Sequence, residues 1–383
     1  MIRLALFATH PIQYHIPWFQ ALDDRPEIDL TVYYDRIPDE KEQGAGFGEA
    51  FEWDVPLLEG YQWKVRRSPV GTARQRQFER VRSAVHPSNT DVVLATGWYD
   101  DFLRRAAIAA AAYRQPLLVR GESSAMKSRP LWVRIVHWSY LSLFDRFLVI
   151  GTANWKFYQQ YGISPRRMFS CPYFVHNTRF DRQYQELSPR RRKLREAFDI
   201  PLNAECMLFA GKFVEKKRPL DVLKALKNAQ DNHPVYGLMV GSGPLENQLR
   251  NYARRNDVPV TFTGFLNQTE IAKAYTAADT LVLPSNYDET WGLVVNEAMM
   301  FECPAIVSDR VGCGPDLVDD GATGYTFPFG DVDALADQMQ KVAARTQLRQ
   351  EMGRQARNRV LDKHTVENTV EGTISAMHST VES

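Results

Sequence analysis

Two carboxylates, Glu289 and Glu297, lie within the stretch LVLPSNYDETWGLVVNEAMM, residues 281–300. Leu281-Val282-Leu283 reads as an apolar strand, Pro284-Ser285-Asn286 as a turn, and a helix starts near Gly292. Glu289 then falls on the loop before the helix and Glu297 one to two turns inside it. The backbone N–H groups of residues 292–294 would open an anion site at that helix start. Carboxylates on both sides suit a ligand that is anionic in the middle and rich in hydroxyls at its ends, which is the chemistry of a nucleotide-diphosphate sugar. Cations for the anionic part come from Lys212 and Lys217 in GKFVEKKRPLDVLKA, the first at a strand's carboxyl end and the second at a helix start. Blander readings exist for each: Lys216, Lys217 and Arg218 also make a solvated basic turn, and a first-turn glutamate is favoured by the helix dipole.

Such residues need strands that end where helices begin. IRLALFA (2–8) is a buried-strand run, followed by the loop Thr9–His15 and a helical IPWFQAL. A second strand covers 28–34, and residues 35–70 read as an irregular, Gly- and aromatic-rich excursion that covers or shapes a site. Strands at 91–97, 116–122 and 147–151 alternate with helices at 101–113, 131–144 and 153–161, and SCPYFVHN (170–177) closes this half. Residues 178–195 are polar and read as a linker. The plan then repeats, with strands at 206–212, 235–243, 260–265, 280–285 and 304–309 and a short GYTFPFG (324–330), and helices between them; the helix at 244–256 is expected to carry Pro244 first. Amphipathic helices and a last helix from Thr365 to about Met377 finish the chain. Alternation throughout implies two doubly wound parallel-sheet, Rossmann-like α/β domains facing across a cleft that holds the ligand. The expected boundaries are 1–185 and 186–361, with a final helix at about 362–383 packing back on the first domain.

Length and composition agree with two ordinary cores: 383 residues, 44% hydrophobic and 24% charged. The net charge of +1 hides an asymmetry. Residues 1–60 hold 4 Lys/Arg against 12 Asp/Glu, and residues 61–190 hold 21 against 8, a net +13 that includes Arg66, Arg67, Arg74, Arg76, Arg80 and Arg82. A solvated basic face, an anionic acceptor or an anionic membrane surface each fits; nucleic acid does not, for want of a binding motif. Cys171, Cys206, Cys303 and Cys313 are scattered and read as buried, reduced thiols. MIRLALFATH lacks the length and cleavage site of a signal peptide, and no apolar run approaches ~18 residues. The expectation is a cytoplasmic protein, peripheral at most to the inner face of a membrane.

The motifs GK-x4-K (211–217), VGSGPLENQLR (240–250), VTFTGFL (260–266), the Glu-x7-Glu pair and VGCGPDLVDDGATGYTFPFGDVDALA (311–336) occur in that order. Together they resemble the donor half of family 4 retaining glycosyltransferases of the GT-B fold, densely over residues 200–340 and more weakly before them. The resemblance implies that Lys217 binds the donor diphosphate and that Lys212 stands where the family more often has arginine, keeping charge without the bidentate fork. It implies further that Glu289 binds sugar hydroxyls, that Glu297 binds the ribose, and that Gly241, Trp291, Gly292, Leu293 and Val294 line the donor site. Phe265 and Leu266, after Gly264, should meet the base. By position only, the loop with His10, Gln13 and His15 would serve the diphosphate or the acceptor. Where the family usually has a histidine this chain reads Gly121-Glu122, so Glu122 joins Lys217 and Glu289 as a candidate catalytic residue, with a helix-start carboxylate as its blander reading.

The implied reaction moves a sugar from a nucleotide-diphosphate sugar, UDP foremost, to a hydroxyl of a glycan or lipid-linked acceptor. No cofactor and no metal are expected, because lysines meet the charge. Asp331-Val332-Asp333 reads as a helix cap and not a metal motif, Gly241-Ser242-Gly243 lacks the third glycine of a dinucleotide fingerprint, and His137 reads as packed. A nucleotide-sugar epimerase and a non-catalytic binding relative are the competing readings.

Overall fold

A computed structural model describes all residues except 49, 68–77, 79, 231–232 and 382–383. The chain makes two compact units: Met1–Asp39, Pro56–Tyr173 and Val366–Ser383 form the first, and Glu40–Val55 with Phe174–Thr365 the second. Arg74 and Arg76 of the basic cluster lie outside the described residues.

The first unit holds seven strands: β1 (Ile2–Ala8), β2 (Ile28–Arg36), β3 (Trp63–Arg67), β4 (Val92–Ala95), β5 (Leu117–Val119), β6 (Arg146–Val149) and β7 (Met168–Ser170). They pair in the order β3-β2-β1-β4-β5-β6-β7, and all the pairings are parallel. β4 (VVLA) and β5 (LLV) are buried at every position, as parallel strands covered on both faces must be. The helix Val366–Val381 packs in this unit: Trp18 donates from Nε1 to Thr373 at 3.3 Å and Thr369 to the Pro172 carbonyl at 2.7 Å. A Cβ on Gly372 would sit 1.9 Å from the Ser170 carbonyl oxygen, so only glycine lets that helix lie against β7.

The second unit holds six parallel strands: β8 (Glu205–Ala210), β9 (Val235–Val240), β10 (Val260–Gly264), β11 (Thr280–Leu283), β12 (Ala305–Ser308) and β13 (Gly324–Phe327), ordered β10-β9-β8-β11-β12-β13. Every β8 and β11 residue is buried. Each buried Leu or Phe removed from water contributes about 1.5–3 kcal/mol, and the core continues onto the helices Pro219–Asn228 and Val332–Ala343 through Val222, Leu226, Leu335 and Met339.

The doubly wound parallel α/β plan expected from the alternation is the plan observed. Three local readings change. Residues 63–67, read as irregular, form edge strand β3: only Val65 is fully buried, and the charged Lys64, Arg66 and Arg67 suit an edge. Residues 178–195, read as a linker, lie in the helices Asn177–Leu187 and Arg191–Ala197 and the 3₁₀ turn Ser188–Arg190 between them, with Phe180, Leu187 and Arg195 turned inward within a polar sequence. The helix after β9 starts at Glu246, so Pro244 stands before it.

Candidate functional site

In the second sheet β8 has β9 on one side and β11 on the other, so the loops leaving β8 and β11 diverge to opposite faces. Open parallel sheets bind ligands in the crevice at this switch point, outside the strands' carboxyl ends. The loop after β8 begins with Gly211 and Lys212, then makes a 3₁₀ turn over Glu215–Lys217 before the helix that starts with Pro219. The loop after β11 is fastened to that turn, since the Asn286 N–H donates to the Lys216 carbonyl at 2.9 Å. This fastening sets Lys217 beside Glu289. Their Nζ and Oε2 are 2.6 Å apart, and each side chain keeps 16% of its exposure. Ser285 donates to the same carboxylate oxygen at 3.3 Å.

Two glycines make the crevice floor. A Cβ on Gly241 would fall 2.0 Å from the Gly211 carbonyl oxygen, so the loops after β8 and β9 touch backbone to backbone. Gly292 precedes the helix Leu293–Met299 with φ +98°, and a Cβ there would meet Leu283 at 2.9 Å. Leu293 and Val294 are half-buried. Trp291 is buried with Nε1 donating to Asn296 at 2.8 Å, and its ring lies 5.7 Å from that of His364. Trp291 therefore braces the loop that carries Glu289, rather than lining the crevice with an exposed ring.

Glu297, half-buried one turn into that helix, accepts a hydrogen bond from the Tyr275 hydroxyl. Burial pushes its carboxyl up from the usual range, while Tyr275, Arg179 and Gln268 hold it down. Arg179 in turn donates to Gln268. Sequence reading missed this support. Arg179 fell in the supposed linker, and nothing in the spacing of the helix that carries Tyr275 tied that tyrosine to Glu297.

Lys212 and Phe265 meet an unexpected partner, residues 40–55. Lys212 Nζ donates to the Ala45 carbonyl and stands 4.8 Å from the centre of the Phe47 ring. Burial and then Lys216 and Lys217 lower its pKa. The Phe265 ring is packed by Phe47 at 4.7 Å, Phe51 at 4.2 Å and Trp53 at 6.3 Å. Asn267 donates to the Glu52 carbonyl at 2.7 Å and the Thr269 N–H to Asp54 at 3.0 Å, which pins the segment. The excursion thus covers the stretch at Phe265 and Leu266. The structure gathers Lys217, Glu289 and Ser285, and holds Lys212 against this strap.

The first unit has its own switch point, between β1 and β4. His10 shares a 2.9 Å hydrogen bond with Thr9, and Gln13 is half-buried on the same loop. His15 is buried among Tyr14, Trp18 and Phe19. Burial and the Arg120 charge drive it well below the usual histidine pKa, so it is neutral. Glu122 accepts from the Tyr173 hydroxyl. Arg120, which sequence reading passed over as the end of a strand, is 1% exposed, with its guanidinium 4.5 Å from the Tyr173 ring centre and 5.2 Å from that of Trp18. Burial lowers its pKa, and the nearby Glu122 charge opposes that shift.

Two of the discounted motifs, at Asp331 and His137, behave as read. Asp331 caps its helix by accepting from the Ala334 N–H at 2.9 Å, and His137 is buried with Nδ1 3.1 Å from the Tyr161 hydroxyl. All four cysteines are buried and free. Among the described residues no group of three His, Cys, Asp or Glu is placed to hold a metal, and no helix is long and apolar enough to cross a membrane. A cavity of about 380 Å³ opens at the amino ends of β8 and β11, lined by Arg191, Arg195, Glu205, Asp279 and Arg349. These charges are consumed in ion pairs with one another, and the place is the wrong end of the sheet for a ligand.

Residues 190–359 match the family model described as glycosyl transferases group 1. The sulfoquinovosyl transferase SQD2 of Arabidopsis thaliana is 34% identical over 139 residues, 35% of this chain and 26% of that protein. The GalNAc-alpha-(1->4)-GalNAc-alpha-(1->3)-diNAcBac-PP-undecaprenol alpha-1,4-N-acetyl-D-galactosaminyltransferase of Campylobacter jejuni subsp. jejuni serotype O:2 is 25% identical over 82% of this chain and 83% of its own length. The matched regions span only 26%, 42% and 46% of three curated relatives, SQD2 being the first of them. Among solved structures, HepE of Anabaena in complex with UDP and glucose has a TM-score of 0.72 at 17% identity, covering 99% of this chain and 100% of that one. The fold is GT-B.

Proposed function

We propose that this chain is a retaining glycosyltransferase of the GT-B fold. It would move a hexose from a nucleotide-diphosphate sugar, UDP foremost, to a hydroxyl of a glycan or lipid-linked acceptor. The observation that carries the reading is the Lys217–Glu289 pair at the switch point of the second sheet, inside the region that matches the group 1 family model.

The chemical difficulty is negative charge building on the departing diphosphate. A preorganised ammonium placed where that charge develops lowers the barrier, and Lys217 is held in place by the turn that Asn286 fastens. When the donor enters, Lys217 exchanges the Glu289 carboxylate for a phosphate oxygen, and Glu289 accepts hydrogen bonds from hydroxyls of the sugar instead. Glu297, kept in place by Tyr275, accepts the ribose hydroxyls. Lys212 adds the second cation once it leaves the Ala45 carbonyl, so the protein's own lysines meet the charge. The acceptor hydroxyl attacks the face that the diphosphate quits, and a phosphate oxygen takes its proton. The acceptor binds in the first unit, at the carboxyl ends of its strands, where Arg120, Glu122, Tyr14 and Tyr173 gather.

A thermal-shift panel of UDP, GDP, ADP and TDP, followed by their sugars, tests the reading. Stabilisation by one nucleoside diphosphate, lost in Lys217→Ala, supports it. An unmoved melting temperature across the whole panel would sink it.

A further inference from the structure

The helix Leu131–Leu141 (LWVRIVHWSYL) is built inside out. Leu131 is 71% exposed, Trp132 70%, Ile135 58%, Val136 59% and Trp138 60%. At 100° per residue these five share one outward face, joined there by Ser139 and Ser142, with the exposed Arg134 at its edge. The inward face holds the polar His137, buried with its ring 4.6 Å from Trp98 and its Nδ1 on the Tyr161 hydroxyl, and Leu141, fully buried. Those contacts fix the helix's rotation, so the apolar face cannot roll inward. Tyr99, 61% exposed and 5.9 Å ring to ring from His137, extends the apolar surface beside it.

Soluble surfaces carry single exposed apolar residues, but five large ones on eleven residues mark an interaction site. Charge selects the partner. From Ser123 to Phe144 the sequence has Lys127, Arg129 and Arg134 and no Asp or Glu. A second copy of the same face would bring like charges together, whereas an anionic bilayer offers acyl chains to the Leu, Ile and Val and headgroups to the basic border. Tryptophan prefers that boundary, where its ring is apolar and its N–H stays wet.

We propose that the helix Leu131–Leu141 lies in the headgroup region of an anionic lipid surface, with Leu131, Trp132, Ile135, Val136 and Trp138 inserted and Lys127 and Arg134 on the phosphates. This docking is independent of the transfer reaction, because it needs neither donor nor acceptor. It places the first unit, the proposed acceptor side, at a membrane.

The test is co-sedimentation of the full chain with vesicles of phosphatidylcholine containing about 30 mol% phosphatidylglycerol, against pure phosphatidylcholine. Wild type should pellet with the anionic vesicles, less so at high salt. Trp132→Ser with Trp138→Ser should lower partitioning at least about tenfold, and Lys127→Glu with Arg134→Glu should abolish the preference for anionic lipid. Because all four side chains are exposed, circular dichroism and melting temperature should stay unchanged. Equal pelleting of wild type and the tryptophan variant would overturn the proposal. So would a wild-type dimer in sedimentation velocity that the tryptophan variant dissolves while vesicle binding is absent, since a second copy would then be the occupant.

Discussion

Lys217→Ala removes the ammonium that touches the Glu289 carboxylate, at 2.6 Å. Its cost to the fold and its cost to the reaction differ enough to be told apart. Both side chains retain only 16% exposure, so the pair is partly buried and its loss should cost about 1–2 kcal/mol. Glu289 also keeps the Ser285 hydroxyl. The melting temperature should therefore fall by about 2–8 °C. In the transition state the same ammonium would face a full leaving-group charge, and two unit charges about 4 Å apart at an effective dielectric of about 20 interact by roughly 4 kcal/mol. Since each 1.36 kcal/mol is about tenfold in rate, kcat should drop about a thousandfold. Lys217→Arg, which keeps the charge, should recover part of it. Release of UDP in a coupled assay reads the rate and differential scanning fluorimetry reads the fold. A variant with turnover within about threefold of wild type would refute the electrostatic role. So would a variant that loses activity only in proportion to folded protein.

Tyr275→Phe deletes the donor to Glu297; a hydrogen bond to a carboxylate is worth about 1.5–3 kcal/mol, so UDP affinity measured by calorimetry should weaken about tenfold. Phe47→Ala frees Lys212 of a cation–π contact worth about 0.5–1 kcal/mol, and should tighten diphosphate binding a few-fold, whereas Lys212→Ala should weaken it. Gly241→Ala should cost the fold itself, seen as insoluble or low-melting protein, because the added carbon meets the Gly211 backbone. Burial also sets a pH dependence. His364 is lowered to about 4, so above its ordinary pKa of 6.5 both folded and unfolded chains are neutral there; below it the unfolded chain protonates first. Stability should fall by about 3 kcal/mol as pH drops from about 6.5 to about 4, with His15 acting in the same direction. His364→Gln should flatten the slope of urea midpoint against pH.

The fold was legible because buried parallel strands announce themselves: VVLA and CMLFA have no outward face to mark with polar residues, and Gly97 and Gly211 follow closely after them. The Lys217–Glu289 meeting was legible as two strand-end loops, though the fastening through Asn286 and Lys216 is a main-chain contact with no side-chain signal. What stayed hidden depended on tertiary neighbours. Trp63–Arg67 pairs only because β2 offers an edge. Arg179 reaches Gln268 across 89 positions of sequence. Phe47, Phe51 and Trp53 looked like a loop's aromatics until Phe265 stood among them. Arg120 ends a strand that reads as apolar, and only the gathering of Trp18, Tyr173 and Glu122 around it marks the place.

The most direct measurement is proton NMR of the protein with a UDP-sugar, with and without a glycan acceptor. The expected result is acceptor-dependent release of UDP and a new anomeric signal of the same configuration as the donor, both lost in Lys217→Ala. An inverted product, or a changed sugar still attached to UDP without acceptor, would contradict the account.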